Sequence, residues 1–237
     1  MNLGYACINM TLGEHKPKIT TNRSMIKKTF KEKGITYASE LAIQNCRDLV
    51  EIIKWNNKNG INFFRLTSDL FPWASEYNLT ELPHYNLIED ILGVAGALAN
   101  KCGQRITSHP GPFNVLVSPK QHVVENTIAD LTLHGEVFDM LGLSRSPYNK
   151  INIHCNGVYG DKTAAMGRFC KNFERLPESV QTRLTVENDD KASMYSVNDL
   201  MYIHERIGIP IVFDYHHHKF CSGDLSEEEA LKLAVST

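Results

Sequence analysis

The 237-residue sequence has no run of the roughly 18–20 apolar residues that a membrane span needs, and its N-terminus, MNLGYACINM, lacks a basic segment leading into an apolar stretch. A membrane span and a secretory signal are therefore not expected, and a cytoplasmic location is, nucleoid-associated in a prokaryote. Six cysteines are present, at 7, 46, 102, 155, 170 and 221, but no C-x-x-C pair, so neither a thiolate zinc site nor a disulfide framework is expected. Low-complexity tracts, charge blocks and residue-level repeats are missing. So is a Gly-rich phosphate loop after the first strand, which lowers the case for a dinucleotide fold. Charge of one sign is missing too: 25 Lys+Arg against 27 Asp+Glu leave a net −2. Bulk attraction to nucleic acid is thereby excluded, and any such binding needs a local face. With 42% apolar and 22% charged residues, the composition suits a globular chain with a sizeable core.

What the sequence does contain is an alternation. Short β-branched or apolar runs, INFFRL (61–66), QRITS (104–108), KINIH (150–154), RLTVE (183–187) and IPIVFD (209–214), follow one another with helical stretches between them. NLGYAC (2–7) belongs to the same series. Helix signals are strong: Ser118-Pro119 with Gln121 opens a segment that stops near Gly142, Asn86 with Glu89 one ending at Gly103, and Ser196 with Asp199 one ending at Gly208. An earlier helix over about 39–59 places Leu41, Cys46, Leu49, Val50 and Ile53 on one stripe. The polar stretch from 11 to 34, rich in Lys and Arg, reads as a functional loop. Strands alternating with helices imply parallel strands and right-handed crossovers, hence an α/β fold, either an open doubly wound sheet or a barrel.

The strand ends decide which chemistry to look for. Asp69, His109, His154, Glu187 and Asp214 stand at or just after successive strands. In a (β/α) barrel those ends converge on one face, so residues 27 to 45 positions apart would share a pocket. Imidazole nitrogen mixed with carboxylate oxygen suits Zn²⁺ or Mn²⁺ better than Mg²⁺. Asp214 opens DYHHH, which brings His217 to the same place. Each position has a plain alternative. Asp69 and Asp214 are also helix N-cap candidates, a lone His is often a hydrogen-bonded loop residue, and Glu187 could form a surface ion pair. Five in register favour the metal site.

The segments LGYACIN (3–9), TTNR (20–23), FRLTSDLFPWAS (64–75), SHPGPF (108–113), IHCNGVYGDK (153–162), TVENDD (185–190) and FDYHHH (213–218), in this order and spacing, resemble the UV damage endonucleases along the entire chain. The resemblance implies a TIM-type (β/α) barrel as a single domain over 1–237, and metal-dependent incision of double-stranded DNA immediately 5′ of a UV photoproduct. It implies several divalent ions, with Mn²⁺ the usual one and Zn²⁺ or Mg²⁺ as alternatives. Its metal-ligand positions fall on His109, His154, Glu187, Asp214 and His217, with Asp69 at a further pocket position where relatives carry His. Tyr5 and Asn9 match positions beside the scissile phosphate. Glu187 would hold the ions and orient the attacking water, and Lys162 in the GDK turn would neutralise a phosphate; its plain alternative is a solvated lysine at a helix start. Arg23 matches a DNA-contacting segment. Where relatives carry Gln and an aromatic inserted at the lesion, this sequence has Pro112 and Phe113. Phe113 keeps an apolar wedge of the kind that unstacks bases.

Six strand signals are present, with 237 − 214 = 23 residues after the sixth. At about 36 residues per unit a closed eight-unit barrel needs roughly 290 residues. The barrel is therefore expected to stop after about six βα units, completed by a second chain or a further C-terminal segment, and to be weakly active alone. An abasic-site endonuclease or sugar isomerase on the same barrel, and an inactive DNA-binding remnant, are the competing readings.

Overall fold

A computed structural model of the chain describes residues 3–237, which form two compact units. The first comprises residues 3–109 and Glu136–Ser144, the second Pro110–Gly135 and Arg145–Thr237.

In the first unit β1 (Gly4–Ala6), β2 (Phe63–Leu66) and β3 (Arg105–Ser108) pair in parallel, with Tyr5 opposite Phe64 and Phe64 opposite Ile106. Between β1 and β2 run the one-turn α1 (Met10–Gly13) and the long α2 (Lys27–Lys58), and α3 (Tyr85–Lys101) connects β2 to β3. The stretch from 11 to 34 is thus only in part a loop. Residues 10–13 and 27–33 are helical, and the join to the rest of α2 falls at Gly34, whose φ of 65° needs a residue without Cβ. The apolar stripe of α2 is Ala38, Ala42, Cys46, Leu49, Ile52 and Ile53, all fully buried, with Leu41 and Val50 at its margins. It packs on Ile88, Leu92, Ala95 and Ala99 of α3. Asn86 does not cap α3. The helix begins one residue earlier with His84 at the cap position, so Asn86 lies inside the first turn.

The boundary between the units falls within α4 (Gln121–Met140). In the second unit β4 (Ile151–His154), β5 (Leu184–Glu187) and β6 (Ile211–Val212) also pair in parallel. The crossovers carry α5 (Lys162–Phe173) and α6 (Glu178–Gln181), then α7 (Val197–Ile207), and α8 (Tyr215–His218) and α9 (Glu227–Val235) follow β6. Ile151, Ile153, Leu184 and Val186 are buried, as are Phe169 of α5 and Leu200 and Ile203 of α7. Removing side chains of this size from water is worth about 1.5–3 kcal/mol each.

α7 forms as its sequence signals require. Ser196 Oγ accepts the Asp199 N–H, the Asp199 carboxylate accepts the Ser196 N–H at 2.9 Å, and Gly208 closes the helix in the left-handed conformation. No described helix is long and apolar enough to cross a membrane.

Candidate metal centre

β4 and β5 pair with His154 opposite Glu187, and their outgoing ends bring together the groups that the second unit offers a cation. Glu187, Asp214 and His217 each present one ligand atom, all within 4.8 Å of one another. Glu187 is buried, and the other two are partly exposed. The His154 and His217 rings lie 5.2 Å apart, centroid to centroid.

Local chemistry sets the orientation of each group. The His217 Nδ1 lies 2.9 Å from the Asn188 carbonyl oxygen. A carbonyl only accepts, so the proton sits on Nδ1 and Nε2 keeps its lone pair for a cation. Asp214 is the N-cap of α8: its Oδ1 accepts the His217 N–H at 2.9 Å. The capping alternative and the ligand reading are thus compatible, since a carboxylate has a second oxygen. DYHHH forms a helical turn rather than a loop, and that turn swings His217 back toward Asp214.

Two residues that sequence reasoning left unassigned hold this arrangement. Asn188 clips the β5 end to the β6 end, donating from Nδ2 to the Asp214 carbonyl and accepting the Asp214 N–H on Oδ1, at 3.1 and 2.8 Å. Asp189 sets its carboxylate 3.5 Å from His154 Nδ1. Burial pushes the Asp189 carboxyl up to about 7, helped by Asp190 and Glu187 and opposed by the Tyr195 backbone N–H and His217. Both lie in TVENDD, and the usable signal was their place immediately past a ligand-type strand end.

In the first unit His109 directly follows β3 and is partly exposed. Asp69 sits in a 3-10 turn, Ser68–Leu70, with its side chain exposed, and belongs to no cluster of ligand-type side chains among the described residues. Tyr5 and Asn9 do meet. The Tyr5 hydroxyl donates to Asn56 Oδ1 at 2.7 Å and accepts from Asn9 Nδ2 at 2.8 Å, while Asn9 Oδ1 caps α1 through the Leu12 N–H. Burial raises the Tyr5 phenol above its ordinary value.

Four residues expected to contact DNA or phosphate have definite surroundings. Phe113 is 88% exposed and Pro112 is exposed beside it. Their loop is braced by Asn114, whose Nδ2 donates to the Gly111 carbonyl and to Asp130. The Lys162 ammonium pairs with Asp199 at 3.0 Å. The Arg23 guanidinium binds Asp48 at 2.6 Å and donates to the carbonyls of Thr20 and Lys18.

The sequence matches the family described as UV-endonuclease UvdE over residues 1–237. The chain belongs to that family. It is 37% identical over 230 residues to the UV-damage endonuclease of Schizosaccharomyces pombe, covering 95% of this chain and 37% of that protein. With the UV DNA damage endonuclease of Clostridium perfringens it is 34% identical over 240 residues, covering all of this chain and 55% of the relative. The chain thus spans between about a third and just over half the length of these two relatives of the family. The crystal structure of SacUVDE superposes with a TM-score of 0.87 at 32% identity, over 100% of this chain and 76% of that one. The UvdE fold of this chain is accordingly α/β, a partial TIM-type barrel.

Proposed function

We propose that the chain is a metal-dependent DNA repair endonuclease that hydrolyses the phosphodiester backbone of duplex DNA on the 5′ side of UV photoproducts. The observation that carries this is the convergence of Glu187, Asp214 and His217 within 4.8 Å at the strand ends, in a chain that matches the UvdE family throughout. The donor set fits a divalent ion. Two carboxylates supply charge, one imidazole is held in the tautomer that leaves Nε2 open, and the mixture of N and O donors suits Mn²⁺, with Zn²⁺ and Mg²⁺ as alternatives. Glu187, Asp214 and His217 would hold the ion, and His154, whose Nδ1 lies 3.5 Å from Asp189, is proposed as a further ligand. His109 is proposed as a further ligand on the family resemblance. A bound divalent ion supplies a water of lowered pKa and charge neutralisation on the phosphoryl oxygens.

The remaining chemistry belongs to the protein. Asn9 has one Nδ2 proton committed to Tyr5 and a second left to donate, and the Tyr5–Asn56 hydrogen bond keeps that amide from turning over. Asn9 is therefore proposed to donate to a phosphate oxygen, with Tyr5 aligning it. The ring of Phe113, with Pro112 stiffening the loop, is proposed to enter the base stack at the lesion. Lys162 and Arg23 each hold an acidic partner, Asp199 and Asp48, and have further N–H groups with which they are proposed to meet a phosphate.

Incision of UV-irradiated, abasic-site and undamaged duplex with added Mn²⁺ tests this. Preferential nicking 5′ of photoproducts is expected. Nicking at abasic sites alone would instead make the chain an abasic-site endonuclease, and retention of DNA without nicking would make it a binding remnant. Metal content after dialysis should fall in Glu187→Ala relative to wild type.

A further inference from the structure

We propose that Asn152 is a positioning residue that fixes the orientation of the Glu187 carboxylate, and that Thr185 fixes Asn152 in turn. β4 and β5 pair in parallel with Asn152 opposite Thr185 and His154 opposite Glu187. Side chains alternate along a strand, so Asn152 and His154 share one face of β4 while Thr185 and Glu187 share the matching face of β5. A polar pair therefore lies one layer beneath the ligand-type pair. In a barrel interior such layers are ordinarily filled by branched apolar side chains. Here Asn152 is 5% exposed and Thr185 2%, and a buried amide costs free energy unless its hydrogen bonds are made.

They are made in one direction only. The Thr185 hydroxyl donates to Asn152 Oδ1 at 2.7 Å. The other end, Nδ2, donates to Glu187 Oε2. A reversed amide would set oxygen against carboxylate oxygen, so the Glu187 charge selects the orientation, and the Thr185 hydroxyl, able to donate or accept, donates to the amide oxygen and holds it there. With Oε2 held from below, Oε1 stands 3.5 Å from His217 Nδ1.

The choice of side chain has a chemical reason. An amide N–H steadies a carboxylate without neutralising it, whereas Lys or Arg at this position would offset the charge needed to hold a dication. Leu at 152 would fill the volume and offer no donor. Partners of this kind, behind the ligands, typically govern metal affinity by 10–100-fold.

This inference rests on the metal-site reading, and the test separates the two. Apo protein is titrated with Mn²⁺, following free ion by electron paramagnetic resonance, for wild type, Asn152→Leu, Thr185→Val and Glu187→Gln. Crystal structures of metal-free wild type, Asn152→Leu and Thr185→Val supply a readout that needs no metal. Asn152→Leu should weaken Mn²⁺ binding at least ten-fold, with the melting temperature unchanged or raised, and the Glu187 carboxylate should leave its wild-type position. Thr185→Val, a nearly isosteric change, should weaken binding several-fold and covers the case in which Asn152→Leu fails to fold. A Glu187 carboxylate that stays in place in both variants overturns the positioning role, whatever the metal does. Tight binding that survives Glu187→Gln overturns the metal reading, leaving the positioning role to be decided by the carboxylate's location.

Discussion

The Asp214 carboxylate accepts the backbone N–H of His217 at 2.9 Å, and both side chains belong to one group of ligand-type atoms with Glu187. One residue therefore starts the helical turn that carries its neighbour and stands beside that neighbour as a candidate metal ligand. Capping and metal binding are separable by substitution. Asn caps as well as Asp, so Asp214→Asn should leave unfolding free energy within a few tenths of a kcal/mol while lowering Mn²⁺ affinity, and Asp214→Ala should lose about 1 kcal/mol as well. Denaturant unfolding beside metal titration of both variants checks it. Equal metal affinity in Asp214→Asn and wild type would remove Asp214 from the ligand set.

Phe113 is 88% exposed on a loop braced from below by Asn114. Truncating so exposed a ring removes no core contact, so Phe113→Ala should melt within a degree or two of wild type. Affinity for lesion-containing duplex should fall about ten-fold, equivalent to about 1.4 kcal/mol and within the range for a stacked base. Fluorescence anisotropy with lesion-bearing and undamaged duplexes reads it out. A variant that binds both as the wild type does would take the wedge role from Phe113.

Two glycines on α3 should respond in opposite directions. A Cβ on Gly96 would fall 1.6 Å from the Leu141 carbonyl oxygen, whereas one on the exposed Gly93 meets nothing nearer than 4.0 Å. Gly96→Ala forces backbone apart and should cost about 1–3 kcal/mol or more. Gly93→Ala removes a flexible residue from a helix interior and should stabilise by about 0.5–1 kcal/mol. Thermal unfolding of the pair should bracket the wild type.

Arg23 ties the 18–23 segment to α2 through Asp48, whose side chain is only 7% exposed. Arg23→Ala would take away that carboxylate's positive partner and leave it the Thr20 N–H and the Gln44 amide as donors. With Arg23 itself partly exposed, the loss should be about 1–3 kcal/mol, short of that for a fully buried pair. Arg23→Lys should restore little, because one ammonium cannot reach a carboxylate and two carbonyls as a planar guanidinium does. Urea midpoints of the three proteins test this.

The strand positions and the long helices were legible in the sequence because their signals are local. β-branched runs, a capping box at Ser196 and a glycine at 208 report the backbone within a few residues of themselves. The apolar stripe of α2 was read one position off at Leu41 and Val50 because its buried face also carries Asn45, Asp48 and Asn56, and polar residues there blur an apolar period. The start of α2 was hidden in a run of lysines. Charge marks a solvated surface, and a solvated surface can be helix or loop.

The convergence of Glu187, Asp214 and His217 was legible in the sequence because a ligand-type side chain at a strand end is a one-dimensional pattern, and parallel strands carry it into three dimensions in a known way. The groups that orient them were not found. Asn152, Thr185, Asn188 and Asp189 matter through which atom faces which partner across neighbouring strands, and an amide in a sequence carries no sign of whether its oxygen or its nitrogen will face a carboxylate. The sequence by itself determined the alternation of strand and helix and the residue types at the strand ends. Only the tertiary structure decided the direction of each hydrogen bond among them, because that depends on register between strands far apart in the chain and on which partner burial sets against each polar atom.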